Sequence, residues 1–168
     1  NEAGIKTVVH LCIGLSLSEK DLNDLANNAT LKSYAAGEEL FREGDEADGL
    51  YLIQSGSVTV SRMIGGREVV LFYVAAGNYV GEMSLVSGEP RYATVRAAIA
   101  TEAVLIEAGR MRDIIARNPE IREELDSRYL QHLQDQEKRQ QLETTFDGNS
   151  STGAQSTPSN LISFLIQQ

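Results

Sequence analysis

Between Gly81 and Ala97 the chain reads Gly-Glu-Met-Ser-Leu-Val-Ser-Gly-Glu-Pro-Arg-Tyr-Ala-Thr-Val-Arg-Ala. This run holds the side chains needed to grip an anion attached to a sugar. Glu82 can accept hydrogen bonds from a sugar hydroxyl, and Arg91 offers a planar fork of donors that matches a phosphate. Gly81 lets the backbone approach a ligand closely. A short helix over residues 82–86 would point its free N–H groups at the same anion. Glu82 and Arg91 could instead pair with each other across a loop. The order glycine, helix start, Pro90, arginine favours a ligand.

Few other residues suggest chemistry. His10 and His132 are too few and too far apart for a metal site. Cys12 is the only cysteine, which rules out an internal disulfide or a cysteine-based metal cluster; the plain reading is a small buried or half-buried residue. Ser84 has no base beside it in sequence, so a serine nucleophile is unsupported. No catalytic residue, metal or cofactor is expected, and the chain does not read as an enzyme.

The elements that position residues 81–97 are short. Ser16 to Ala29 reads as a helix capped by Ser18, with Asp21 three residues on in a capping-box variant. From Thr30 to Glu107 short strands alternate with glycine turns. They run over residues 31–34, 38–42, 50–54, 58–63, 68–74, 92–99 and 103–107. The apolar end of residues 68–74 is expected deep in the core. Gly44, Gly56 and Gly77 are expected in turns that need positive φ, and Ile64-Gly65-Gly66-Arg67 forms a hairpin turn. Seven or eight strands at this spacing give an α+β fold: a small antiparallel barrel or jelly roll with helices at both ends. The 81–92 excursion is its one long connection, and such loops often carry function.

Beyond Ala108 the pattern is helical. Residues 110–117 form a short helix, and Pro119 fits the first turn of a longer one over 119–147. Ile121, Leu125, Tyr129 and Leu133 recur at steps of four. A thin stripe of this kind pairs with its own copy more often than it stands alone, so a homodimer through residues 119–142 is expected, with Leu125, Tyr129 and Leu133 on the seam. The rival is a helix folded back on its own barrel. Residues 148–159 carry no charge and read as a flexible linker. Residues 160–168 turn apolar and read as the start of a further domain or as a tail folded back. Residues 1–147 make up one domain.

Hydrophobic residues are 42% of the 168, enough for one core. The net charge of −9 makes the chain as a whole a poor partner for nucleic acid. No apolar run approaches the roughly 20 residues of a membrane span. The start lacks a secretory signal and an initiating Met, so a processed chain or a fragment is expected, with the cytoplasm as its compartment.

The run from Gly81 to Ala97 resembles the phosphate-binding cassette of cyclic-nucleotide-binding domains, the family of catabolite activators and protein kinase A regulatory subunits. It matches a Gly-Glu-aliphatic-small-Leu start and an Arg-x-Ala-x-Val-x-Ala end at the family's spacing. Phe41-Arg42-Glu43-Gly44-Asp45, Leu50-Tyr51-Leu52-Ile53, Ser55-Gly56-Ser57-Val58 and the Asn118-Pro119 break extend the likeness over about residues 12–140. The resemblance implies that Glu82 binds the ribose 2′-hydroxyl and Arg91 the cyclic phosphate. The N–H groups of Met83, Ser84 and Ala93 would add phosphate contacts. It also implies a regulatory module that signals through its C-terminal helices, hinged at residues 110–118, to an attached output domain.

Two departures bear on the base. Tyr92 stands where many cAMP binders have Ala or Ser and cGMP-selective kinases have Thr; it would stack on the purine or point away. Gln136 and Glu137 stand where a Thr-Ser pair reaches the adenine in the bacterial activators. The expected ligand is cAMP ahead of cGMP. The alternatives are a vestigial pocket on a structural dimerisation module and, more remotely, a barrel enzyme.

Overall fold

The computed structural model describes residues 2–13, 17–131 and 134. The chain divides into two compact units, Asn1–Asp126 and Ser127–Gln168. The first begins with helices α1 (Glu2–Ile13) and α2 (Glu19–Asn27). Ser18 caps α2 as its position implies, its hydroxyl accepting the Asp21 N–H at 3.1 Å. Strands follow: β1 (Thr30–Tyr34), β2 (Glu39–Phe41), β3 (Gly49–Ser55), β4 (Ser57–Ile64), β5 (Arg67–Ala75) and β6 (Tyr79–Val80). Helix α3 (Glu82–Ser87), β7 (Thr94–Ala97), β8 (Thr101–Glu107) and helix α4 (Ala108–Arg117) come next. Residues 119–126 are helical as well. Residues 127–131, in the second unit, are also helical.

The eight strands form two antiparallel four-stranded sheets, ordered β1-β8-β3-β6 and β2-β7-β4-β5. This is the expected α+β jelly-roll architecture. The core follows from strand alternation. On β3, Leu50 and Leu52 face a cluster shared with Leu22 and Leu25 of α2, Met111 and Ile114 of α4, and Ile121 and Leu125. Tyr51 and Ile53 face the other way, into a second cluster with Phe41, Val58, Val60, Val74, Val95 and Ala103. The first sheet is thus covered by helices on one face and by the second sheet on the other. That is why Gly49 to Ile53 is buried at every position.

Gly56 makes the β3–β4 turn at φ 88. A Cβ there would lie 2.4 Å from the Thr101 hydroxyl, so the close turn needs glycine. Gly44 and Gly77 also have positive φ, as expected.

Three sequence expectations change. Strand β5 is not deep: it is an edge strand, and one of its two faces is left uncovered. Val70 and Tyr73 are exposed, while Leu71 and Val74 are buried. Leu125 is not free for a dimer seam, because it is 1% exposed within the first unit's own core. Helix α1 and strand β6 add to the expected elements. Ile5, Val8, Val9 and Cys12 give α1 an i, i+3, i+4, i+7 stripe against the first cluster. Strand β6, two residues long, has no period to read.

Candidate ligand-binding site

Arg91 is 2% exposed, and the surrounding backbone explains how such a cation is held. Its Nη1 donates to the Gly81 carbonyl at 3.0 Å. Its Nη2 donates to Asp48 Oδ1 and to the Gly49 carbonyl, both at 2.7 Å. The guanidinium carbon sits 3.9 Å from the centre of the Phe41 ring, a stack that suits Arg better than Lys. The backbone is tied as well: Arg91 N donates to the Asp45 carbonyl at 2.7 Å, and Gly44 N donates to the Arg91 carbonyl at 2.8 Å. Arg91 Nε is buried without a hydrogen-bond partner among the described residues.

The carboxylate that pairs with Arg91 is Asp48, 43 residues upstream. Tyr51 Oη donates to the other Asp48 oxygen at 2.7 Å. Burial acts to raise the Asp48 pKa. The hydrogen bonds from Tyr51 and Arg91 outweigh it and hold the carboxyl below its ordinary range. Burial, then Asp48 itself, pushes the Tyr51 hydroxyl well above the usual tyrosine value, so it remains a donor. In sequence, Glu43 to Asp48 reads only as a polar loop, and Asp48 does not stand out within it. An acid just before the first buried strand is its one signal.

Helix α3 carries other expected residues, and the glycine before it touches Arg91. Gly81 precedes it at φ 96, and a Cβ there would come within 2.6 Å of Arg91 Nη1. Only glycine lets the chain pass that close to the cation. Glu82 and Ser84 are 2% and 3% exposed, and Met83 is half-buried. Ala93 is buried in the second cluster. Of the expected residues, Gly81 lies directly against Arg91, Glu82 and Ser84 are buried on α3, and Ala93 belongs to the second cluster. Gln136 and Glu137 lie outside the described residues.

Tyr92 is half-buried and packs against the second cluster. Its hydroxyl accepts from Arg62 Nη1 at 2.6 Å. The Arg62 guanidinium carbon also lies 3.8 Å from the Tyr92 ring centre. Arg62 Nη2 reaches Glu43 Oε2 at 3.3 Å, and Glu43 Oε1 accepts from Met63 N at 3.1 Å. Burial raises the Tyr92 pKa, with Arg62 opposing the shift. Nothing in the sequence links residues 43, 62 and 92; the β2–β7 and β4–β7 pairings do.

Residues 31–118, just over half of the chain, match the family described as "Cyclic nucleotide-binding domain". The chain belongs to that family. This cyclic-nucleotide-binding domain is 31% identical over 126 residues to the cAMP-activated global transcriptional regulator CRP of Salmonella typhimurium. That match covers 74% of the chain and 60% of the regulator. It is 38% identical over 90 residues to the cGMP-dependent protein kinase of Toxoplasma gondii, covering 54% of the chain and 9% of the kinase. Among solved structures it resembles the regulatory domain of Toxoplasma gondii PKA with cAMP. The TM-score is 0.64 at 32% identity, covering 67% of this chain and 44% of that one. The chain thus spans less than two thirds of these relatives. Among the described residues, no helix is long and apolar enough to cross a membrane, and no group of three His, Cys, Asp or Glu could hold a metal.

Proposed function

We propose that this domain binds a purine 3′,5′-cyclic mononucleotide and signals its presence through the helices that follow the barrel. One observation carries the reading: Arg91 is buried, oriented by Asp48 and two carbonyls, and still has an Nε donor to give. A buried cation held this firmly suits a ligand phosphate, with Glu82 at the start of α3 for the ribose hydroxyl and the N–H groups of Met83, Ser84 and Ala93 for the phosphate oxygens. On likeness alone, the relatives named for cAMP put that nucleotide first.

Transmission has a physical route. Leu85 and Val86 of α3 line a cleft of about 190 Å³ with Arg112, Ile115 and Ala116 of α4 and with Leu125. A phosphate that moves α3 changes what α4 packs against, and the ligand shifts that equilibrium only by its differential affinity for the two arrangements. Self-association through residues 119–142 is a separate proposal, now without Leu125, and sedimentation at micromolar protein tests it.

Calorimetry and thermal melting with cAMP and cGMP test the site. A ligand at 100 times its Kd adds about 2.7 kcal/mol of stability, which is several degrees in a domain of this size. No heat and no change in melting temperature at millimolar nucleotide would leave only the vestigial module.

A further inference from the structure

We propose that Arg62 reads the base of the bound nucleotide and favours guanine over adenine; this rests on the cyclic-nucleotide reading above. Strand register places the residue. In the β4–β5 pair, Val60 faces Phe72 and Ser61 faces Val70, so the extra residue, Leu71, belongs to β5. Strand β4 itself keeps a period of two. Val58 and Val60 point into the second cluster, so Arg62 follows them on the inner face. Against β7, Val60 pairs with Val95 and Ser61 with Thr94. One step further along, Arg62 comes level with Ala93, beside Tyr92 and two residues from the proposed phosphate anchor.

The contacts agree. Two guanidinium groups rest on aromatic rings associated with one apolar cluster, Arg91 on Phe41 and Arg62 on Tyr92. Arg62 is held in its plane by the Tyr92 hydroxyl at 2.6 Å and by Glu43 at 3.3 Å. These use two of its five N–H donors, and Nε has no partner among the described residues. Its side chain is 27% exposed, within reach of a ligand yet pinned. A nucleotide whose phosphate sits on Arg91 lays its base over this cluster, towards the second cation.

The chemistry then selects the base. Guanine presents two neighbouring acceptors, O6 and N7, which match the donor fork of Arg. Adenine presents an amino donor beside N7, so one arm of the fork would meet another donor. Tyr92, the departure from the family pattern, is thereby explained. It neither caps the purine alone nor turns away, but orients the arginine.

Calorimetry on the whole chain with cGMP, cyclic inosine monophosphate and cAMP tests this. The inosine nucleotide keeps O6 and N7 but lacks the 2-amino group. Wild type should bind cGMP and the inosine nucleotide at least tenfold more tightly than cAMP. Arg62→Met keeps a long apolar stem and removes the donors; it should weaken the first two about tenfold and leave cAMP within threefold. Arg62→Lys keeps the charge without the fork and should also lose discrimination, while melting curves report whether each variant folds. Equal or tighter cAMP binding in wild type, or discrimination that survives in both variants, overturns the base assignment alone. Absence of heat with all three nucleotides overturns the cyclic-nucleotide reading and this inference with it.

Discussion

The two apolar clusters are built from opposite faces of the same strand, and they serve different ends. The cluster behind β3 is mainly aliphatic, with Leu50, Leu52, Leu22, Leu25, Met111, Ile114, Ile121 and Leu125 locking helices to the first sheet. The cluster in front of β3 has Phe41 and Tyr51 in it, Tyr92 packed against it, and two arginines stacked on its rings. Shape complementarity among alkyl groups fixes the fold in the first. The second holds polarizable rings and charged groups side by side, surfaces suited to the flat base and anion of the proposed ligand. On the proposed reading, adjacent residues, Leu50 and Tyr51, divide stability from recognition.

Substitutions can break that division or sharpen it. Leu50→Ala deletes a fully buried side chain behind β3 and should cost about 2–5 kcal/mol. Chemical denaturation reads the loss, and affinity at saturating folded fraction should be unchanged. A large affinity loss in a folded Leu50→Ala protein would join the two regions. Arg91→Ala should do the reverse, lowering affinity at least 100-fold, which is about 2.7 kcal/mol. Competition binding measures it, and retained affinity refutes the assignment of the phosphate. Gly81→Ala forces a side chain into positive φ and against Arg91 Nη1. Strain of about 1–3 kcal/mol is expected, with affinity falling at least tenfold by titration.

The Asp48 carboxyl supplies a pH signature. Its folded pKa is depressed, so its stabilisation is fully present above the ordinary aspartate value of about 3.9. It is lost as pH falls through the lower, folded value. Asp48 is half-exposed, so the contribution should stay below about 1 kcal/mol. Urea midpoints of wild type and Asp48→Asn should therefore converge as the solution is acidified below that range. Tyr73→Ala, on the outer face of β5, should change stability by no more than about 0.5 kcal/mol and leave nucleotide binding untouched.

Local chemistry makes much of this legible in the sequence. Ser18 and Asp21 announce the start of α2, the glycines announce the turns, and the order of Gly81, Glu82, Pro90 and Arg91 announces a short helix beside a buried arginine. Each signal acts over a few residues. Contacts set by strand pairing are not legible: Asp48 meets Arg91 across 43 residues and Arg62 meets Tyr92 across 30. The apolar texture of residues 68–74 misleads for the same reason, since only sheet order makes β5 an edge. Leu125 fits either a seam or a core on periodicity alone. Tertiary packing decides for the core.

The tether between Arg91 and the loop at residues 44–49 has a kinetic consequence. Main-chain bonds to Gly44 and Asp45 fix the backbone at Arg91, and the guanidinium bonds to Gly81, Asp48 and Gly49 freeze its rotamers when the protein folds. That entropy is settled before any nucleotide arrives. On the proposed reading, an incoming phosphate would meet a donor already aimed, so capture would not wait for the cation to search for its pose, and any slow relaxation after mixing would belong to the helices.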